Sequence, residues 1–244
     1  MSNQLLAAEL SAPLDSATTA RIDINSGSGN LIIDELCEND QLLASGTLEY
    51  FEKQGKPIRS MTSEHGEATL TLKGAGAGQP WFRFPWAACN GATQWQIHLN
   101  RMVSDISAHT GGGNLKLDLV GLAVSHLSAD AGGGNLAVVL PEHAANLCVE
   151  ARTGGGNVTV EIGSNTIGSN TIDANTGAGN VVVEVPRGLA ARVHARTGLG
   201  KVVVESAFSR VDGHTYQSAD FDAAADKVEI TVSSGAGNVS VKTK

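Results

Sequence analysis

Apolar residues occupy every second position through most of residues 101–244, and a short Gly-rich turn interrupts the alternation at near-regular intervals. Thr110-Gly-Gly-Gly-Asn114 recurs as 131–135, 153–157, 176–180, 197–201 and 234–238. The fifth residue of each copy falls at 114, 135, 157, 180, 201 and 238, in steps of 21, 22, 23, 21 and 37. An earlier copy, 26–30, stands 84 residues ahead of the first of these. Four residues before each turn come Ile106, Leu127, Val149, Ile172, Val193 and Ile230, and two before it come Ala108, Ala129, Ala151, Ala174, Ala195 and Val232. After the turn the same alternation resumes, with Leu115, Leu136, Val158, Val181, Val202 and Val239 followed two positions on by Leu117, Val138, Val160, Val183, Val204 and Val241. Period-two apolar positions on both sides of a tight turn predict two half-buried strands per copy.

The glycines of the turn are expected to supply positive φ, and the Asn after them to tolerate the left-handed region and bond its own backbone. Stacked copies would place equivalent residues ~4.8 Å apart, and the Ala column leaves room for larger neighbours. The expectation is an all-β, single-domain, β-solenoid-like stack of two-strand rungs, each burying its apolar edge against its neighbours. An antiparallel β-sandwich meander with the same turns is the alternative. The N-terminal part belongs to the same architecture: Ile22, Ile24, Leu31 and Ile33 flank the turn at 26–30, strand-like runs cover 42–51 and 68–73, and 95–99 alternates cleanly. One continuous β-repeat domain is expected over 1–244, with 1–18 a weakly ordered lead or cap and regular repeats over 101–244. Residues 206–226 form an insertion before the last rung, and 167–171 echoes the residues before it in a short tandem duplication.

One segment breaks the pattern. Residues 74–93 hold Trp81, Phe82, Phe84 and Trp86 among Gly and Pro. These four are candidate partner contacts, because large aromatics dominate binding hot spots. The competing reading is a loop folded back as a plug over an open β edge.

Gly is 29 of 244 residues and aromatics only 4%, so Val, Ile, Leu and Ala must fill the core. A formal charge of -8 and a pI near 5.3 argue against a nucleic-acid partner and against adsorption to an acidic membrane surface. Cys37, Cys89 and Cys148 are odd in number and widely spaced, which implies no disulfide framework. The N-terminal residues lack the basic and apolar regions of a signal peptide, and no window reaches ~18 apolar residues, so the expected location is cytoplasmic without direct membrane insertion.

Candidate chemistry is sparse. Gly-x-Gly precedes a strand, not the helix that a dinucleotide fingerprint requires. The period and the Asn after the glycines do not fit calcium-binding repeats. Asp118, Glu161, Glu184 and Glu205 share one repeat position, broken by Val139, and such a ladder either holds a cation or serves as a solvated face. The His residues show no zinc spacing. Asp220, Asp222 and Asp226 are the one acidic cluster and lie in the insertion. No catalytic residue, metal ligand or cofactor site is nominated.

The run from Trp95 to Lys244, with TGGGNLKLDLVGL, TGGGNVTVEI, TGLGKVVVESAFSRVDGHTY and KVEITVSSGAGNVSVK, resembles the toastrack-type domain. That domain lies at the C-terminus of LiaF-like cell-envelope-stress regulators and in related proteins described as adhesins. The resemblance implies an all-β repeat domain that mediates protein contacts without catalysis. A non-enzymatic interaction or scaffold module, regulatory in envelope-stress sensing, is therefore expected, with a protein partner. A self-assembling structural or adhesin-like protein is the second reading, because residues 239–244 end the chain on a strand, with Lys242 and Lys244 as protection against edge pairing. A carbohydrate-active β-helix enzyme is the third.

Overall fold

The structure is a computed structural model, and it describes residues 4–37, 41–75 and 93–244. Eight two-strand rungs form it, each with one strand in an 11-stranded sheet and the other in a 10-stranded sheet. In chain order the rungs are Thr19–Asn25 with Asn30–Glu35, Glu67–Lys73 with Gln94–Leu99, Val103–Thr110 with Leu115–Asp118, and His126–Ala131 with Leu136–Val139. Then follow Cys148–Thr153 with Val158–Glu161, Ser169–Ala178 with Val181–Val185, Ala190–Leu199 with Val202–Val204, and Lys227–Ala236 with Val239–Thr243. All neighbouring rungs pair in parallel, which makes the fold solenoid-like and leaves antiparallel pairing, the mark of the meander alternative, to the two ends.

Register follows the columns read from the sequence. Ile106, Leu127, Val149 and Ile172 lie side by side, as do Leu115, Leu136, Val158 and Val181. Because one strand face is buried, a slip of one residue would turn every apolar side chain to solvent, so the register is fixed by burial. The buried apolar residues of both sheets form one core from Ala8 to Val241. Its width changes along the stack. The column that holds Ala in the third to seventh rungs holds Ile24 and Leu72 in the first two, and Trp95 lies 2% exposed beside them with its Nε1 donating to Glu49 O at 2.9 Å.

The order in space departs from the order in sequence at both ends. It runs second, first, third, fourth, fifth, sixth, eighth, seventh. The first rung sits between the second and third, and the eighth sits between the sixth and seventh. The final strand, Val239–Thr243, is therefore interior, not the exposed stack end that the sequence suggested. Lys242 and Lys244 do not guard an edge either; they pair with Glu184 at 2.9 Å and Glu161 at 2.5 Å.

Antiparallel strands close the ends. Leu42–Phe51 pairs with Gln94–Leu99, and Leu5–Pro13 pairs with it in turn, so residues read as a lead form a nine-residue edge strand with alternate burial. Ile58–Glu64 borders the second rung in the other sheet. At the far end the insertion supplies a hairpin, Ser209–Arg210 with Thr215–Gln217, which covers Arg192, Val193 and His194 of the seventh rung. In the 10-stranded sheet Val202–Val204 is the edge at this end. No helix among the described residues is long and apolar enough to cross a membrane.

Candidate functional site

The repeated turn concentrates the polar and glycine residues that look most like a ligand loop. Its geometry assigns them to stacking. A Cβ built at Gly113 would lie 1.8 Å from Gly29 O, and one at Gly134 would lie 1.9 Å from Gly113 O. First glycines are almost as confined, with Gly132 bringing a Cβ to 2.2 Å of Gly111 O. Gly112, Gly133 and Gly155, the middle residues, meet nothing within 4 Å. Close approach of backbone to backbone thus demands the Gly-x-Gly pattern, and positive φ is secondary: Gly113 and Gly134 are outside the left-handed region. The free middle position explains why Ser28, Ala178, Ala236 and Leu199 replace glycine there.

The hydroxyl and carboxamide of the turn also point along the stack. Thr110, Thr153, Thr176, Ser234 and Thr197 each donate their hydroxyl to the third glycine's carbonyl of the preceding rung, at 2.7–2.8 Å. Ala131 is the position in this column without a hydroxyl. The Asn side chain does not bond its own backbone, as the sequence suggested. Asn30 Oδ1 accepts Asn114 N, and Asn114, Asn135, Asn157, Asn180 and Asn238 repeat the contact onto the next rung at 2.9–3.0 Å. The last acceptor receives Lys201 N, so the ladder begins at Asn30 and ends where Lys replaces Asn in the outermost rung.

Gly74 and Thr93 join the same ledge. Gly74 N donates to Asn25 O at 2.8 Å, while Thr93 O accepts Asn30 N at 2.8 Å and Thr93 Oγ1 donates to Ser28 O at 2.7 Å. Strand register places Gly74 opposite Ser26 and Thr93 opposite Gly29. Between these two positions the sequence holds 18 residues, where the first rung has two. Trp81, Phe82, Phe84 and Trp86 lie outside the described residues, as does Cys89.

The acidic ladder is not a row of like charges. Rung exchange puts Lys242 between Glu184 and Glu205. Glu205 accepts Thr243 N at 2.5 Å and Thr243 Oγ1 at 2.8 Å. These two bonds, the backbone one first, hold its carboxyl below the usual carboxylate range. The insertion's acids are likewise dispersed. Asp222 meets Arg192 at 3.0 Å and Gln217 Nε2 at 2.9 Å, and Asp226 accepts Gly168 N at 2.7 Å. Asp220 borders a hollow of about 210 Å³ with Ser218, Phe208, Leu189 and Thr243. Asp212 closes the hairpin by accepting His214 N and Thr215 N, and the first of these leads in lowering its pKa.

Histidines face carboxylates across neighbouring rungs, as in His109–Asp130 at 3.5 Å, His126–Asp105 at 3.6 Å and His194–Glu229 at 3.5 Å. Among the described residues no group of three His, Cys, Asp or Glu is placed to hold a metal ion. Cys37 is exposed and Cys148 half-buried.

The likeness to known structures matches this arrangement. A crystal structure of a candidate cell adhesion protein from Clostridium sporogenes aligns over 99% of this chain and 100% of that chain, at 19% identity and a TM-score of 0.62, and so shares its fold. A candidate adhesin from Bacteroides fragilis aligns over 98% of both chains at 10% identity and a TM-score of 0.39. No curated protein matches the chain by sequence. The model of the N-terminal domain of toast_rack, DUF2154, matches residues 2–161, so the likeness extends through the first hundred residues, beyond the run from Trp95 that first suggested it. The chain belongs to the toast_rack family.

Proposed function

We propose that the chain is a non-enzymatic, adhesin-like scaffold that presents irregular segments from a rigid stack for contact with a protein partner. One observation carries the reading: the repeated polar groups that could serve a ligand are used between rungs, by the Thr and Asn ladders. Recognition is then left to what departs from the repeat. The partner contact is Trp81, Phe82, Phe84 and Trp86, and its support is the rooting of residues 74–93 on the turn ledge through Gly74 and Thr93. In that position a long segment costs the stack two turn residues and no strand. A regulatory role in envelope-stress sensing extends the same reading.

The test is capture of partners from an envelope extract with the native chain and with W81A/W86A. The reading expects a defined protein to be retained by the first and lost by the second, with circular dichroism unchanged. Equal capture by both would sink the assignment of the contact.

End-to-end self-assembly is the second reading, supported by the edge at Val202–Val204 and by exposed Val203. Lys201 works against it, because a further rung would find a Lys where the Asn ladder needs an acceptor. Mass measurement over a concentration series separates the two: a constant monomer leaves only the first.

A further inference from the structure

The eighth rung follows the sixth and seventh in the chain, yet it lies between them. Its neighbours are equivalent. Ile172, Ala174 and Thr176 on one side, and Val193, Ala195 and Thr197 on the other, oppose the same Ile230, Val232 and Ser234. In the second sheet Val181 and Val183 match Val202 and Val204 across Val239 and Val241. The sixth and seventh rungs are thus already in register with each other, one strand apart.

The turn bonds that the seventh rung makes to the eighth have counterparts on the sixth. Thr197 donates to Gly237 O at 2.7 Å, and Gly179 O accepts Ser234 in the same way at 2.7 Å. Lys201 N donates to Asn238 Oδ1 at 3.0 Å, and Asn180 Oδ1 accepts Asn238 N at 2.9 Å. Gly198 and Gly200 give the seventh rung the close approach that the ledge needs. The chain end lies under the crossover from the sixth to the seventh rung, where Lys244 N donates to Val185 O.

We propose that the eighth rung is a displaceable insert, and that without it the seventh rung closes directly on the sixth to give a seven-rung stack. Closure needs a shift of one strand spacing, ~4.8 Å, and no slip along the strands. The inserted state is held by Lys242–Glu184, Lys244–Glu161, Asp226–Gly168 and the Glu205 clamp on Thr243. Release exposes Val228, Ile230, Val232, Val239 and Val241, all buried in the inserted state.

Val182 and Val203 report the change, because both oppose Ser240 on the outer face. With the eighth rung between them they are two strand spacings apart, ~9.6 Å, which is beyond disulfide reach. Once the gap closes they are one spacing apart, within it. The experiment uses the full chain with its native cysteines changed to Ser and the pair V182C/V203C added. Gly237→Val, whose Cβ alone would lie 1.9 Å from Gly179 O, displaces the rung. Under a mild oxidant the displaced form is expected to crosslink fully, with hydrogen-exchange protection lost over 227–244 only. Without Gly237→Val the crosslink is expected to accumulate slowly, and faster at acid pH, where Glu205 lets Thr243 go. Displacement without the crosslink, an eighth rung still protected, or loss of protection in every rung would each overturn the proposal. If Gly237→Val prevents folding, the chain without it decides: absence of any crosslink overturns the proposal, and slow, acid-accelerated crosslinking supports it.

Discussion

Both ends of the stack exchange the order of two rungs, but the interior rung precedes both neighbours in the chain at one end and follows both at the other. At the N-terminal end the first rung exists before either neighbour, so the second rung docks on one side and the third on the other. Nothing has to enter a closed space. That end is also the bulkier one, with Ile24 and Leu72 in a column that is Ala or Val elsewhere, Trp95 in a column otherwise of Leu and Val, and three antiparallel strands beyond it. At the C-terminal end the seventh rung precedes the eighth in the chain, and the later one lies between two partners whose faces also match each other. The same exchange is thus a matter of packing at one end and of competition between two registers at the other.

Paired substitutions break this comparison most strongly at the ledge. Gly29→Val drives a side chain to within 2.3 Å of Thr93 O at the N-terminal end and is expected to cost more than about 4 kcal/mol, abolishing the cooperative transition in urea. Gly237→Val makes an equally close contact, but its loss is expected to stay within residues 227–244, read by hydrogen exchange. Gly133→Ala meets nothing and should change stability by less than about 0.5 kcal/mol.

Core truncations come next. Trp95→Ala should cost about 3–5 kcal/mol, because the widened end has no neighbour to refill the space. Val232→Ala is expected to cost no more than about 1.5 kcal/mol, because Ala174 and Ala195 flank it and the column is built around Ala. Equal losses at the two positions would show that the ends do not differ in packing.

A smaller effect tests the hydroxyl ladder. Ala131→Thr restores the missing donor towards Gly113 O and should stabilise by about 1 kcal/mol in denaturant titration, while Thr153→Val should lose a similar amount.

The smallest effect concerns pH. Glu205 has a folded pKa below its unfolded value, so the stabilisation from its bonds to Thr243 is complete above the ordinary carboxylate range and is lost as pH falls from there through the lowered folded value. Thermal unfolding of Glu205→Gln should lack that part of the pH dependence, and the difference from the native chain should vanish at low pH.

Much of the fold could be read from the columns. Alternation of Ile106, Ala108 and Leu115 with polar positions fixes strands, faces and register, because each is a local consequence of burying one side. What could not be read is rung order, since adjacent copies such as 176–180 and 197–201 carry interchangeable faces and nothing local distinguishes a neighbour in sequence from a neighbour in space. Two signals were present: the long steps of 84 and 37 residues, and Lys201 in a column of Asn. The glycine pattern was legible but its cause was not, because carbonyl contacts between rungs depend on residues 21 or more positions away in the chain, such as Gly134 and Gly113. Glu205 and the lysines looked like a repulsive ladder and an edge guard for the same reason: their pairing exists only once the eighth rung is interior.

The empty space at the middle turn position has a practical meaning. At Gly112, Gly133 and Gly155, in three successive rungs, an added Cβ would meet nothing within 4 Å. Between the positions that match Ser26 and Gly29, the second rung has 18 residues in sequence where the first has two. Each of these three turns is by that geometry a grafting point, so foreign peptides could be displayed in a row at one-strand intervals.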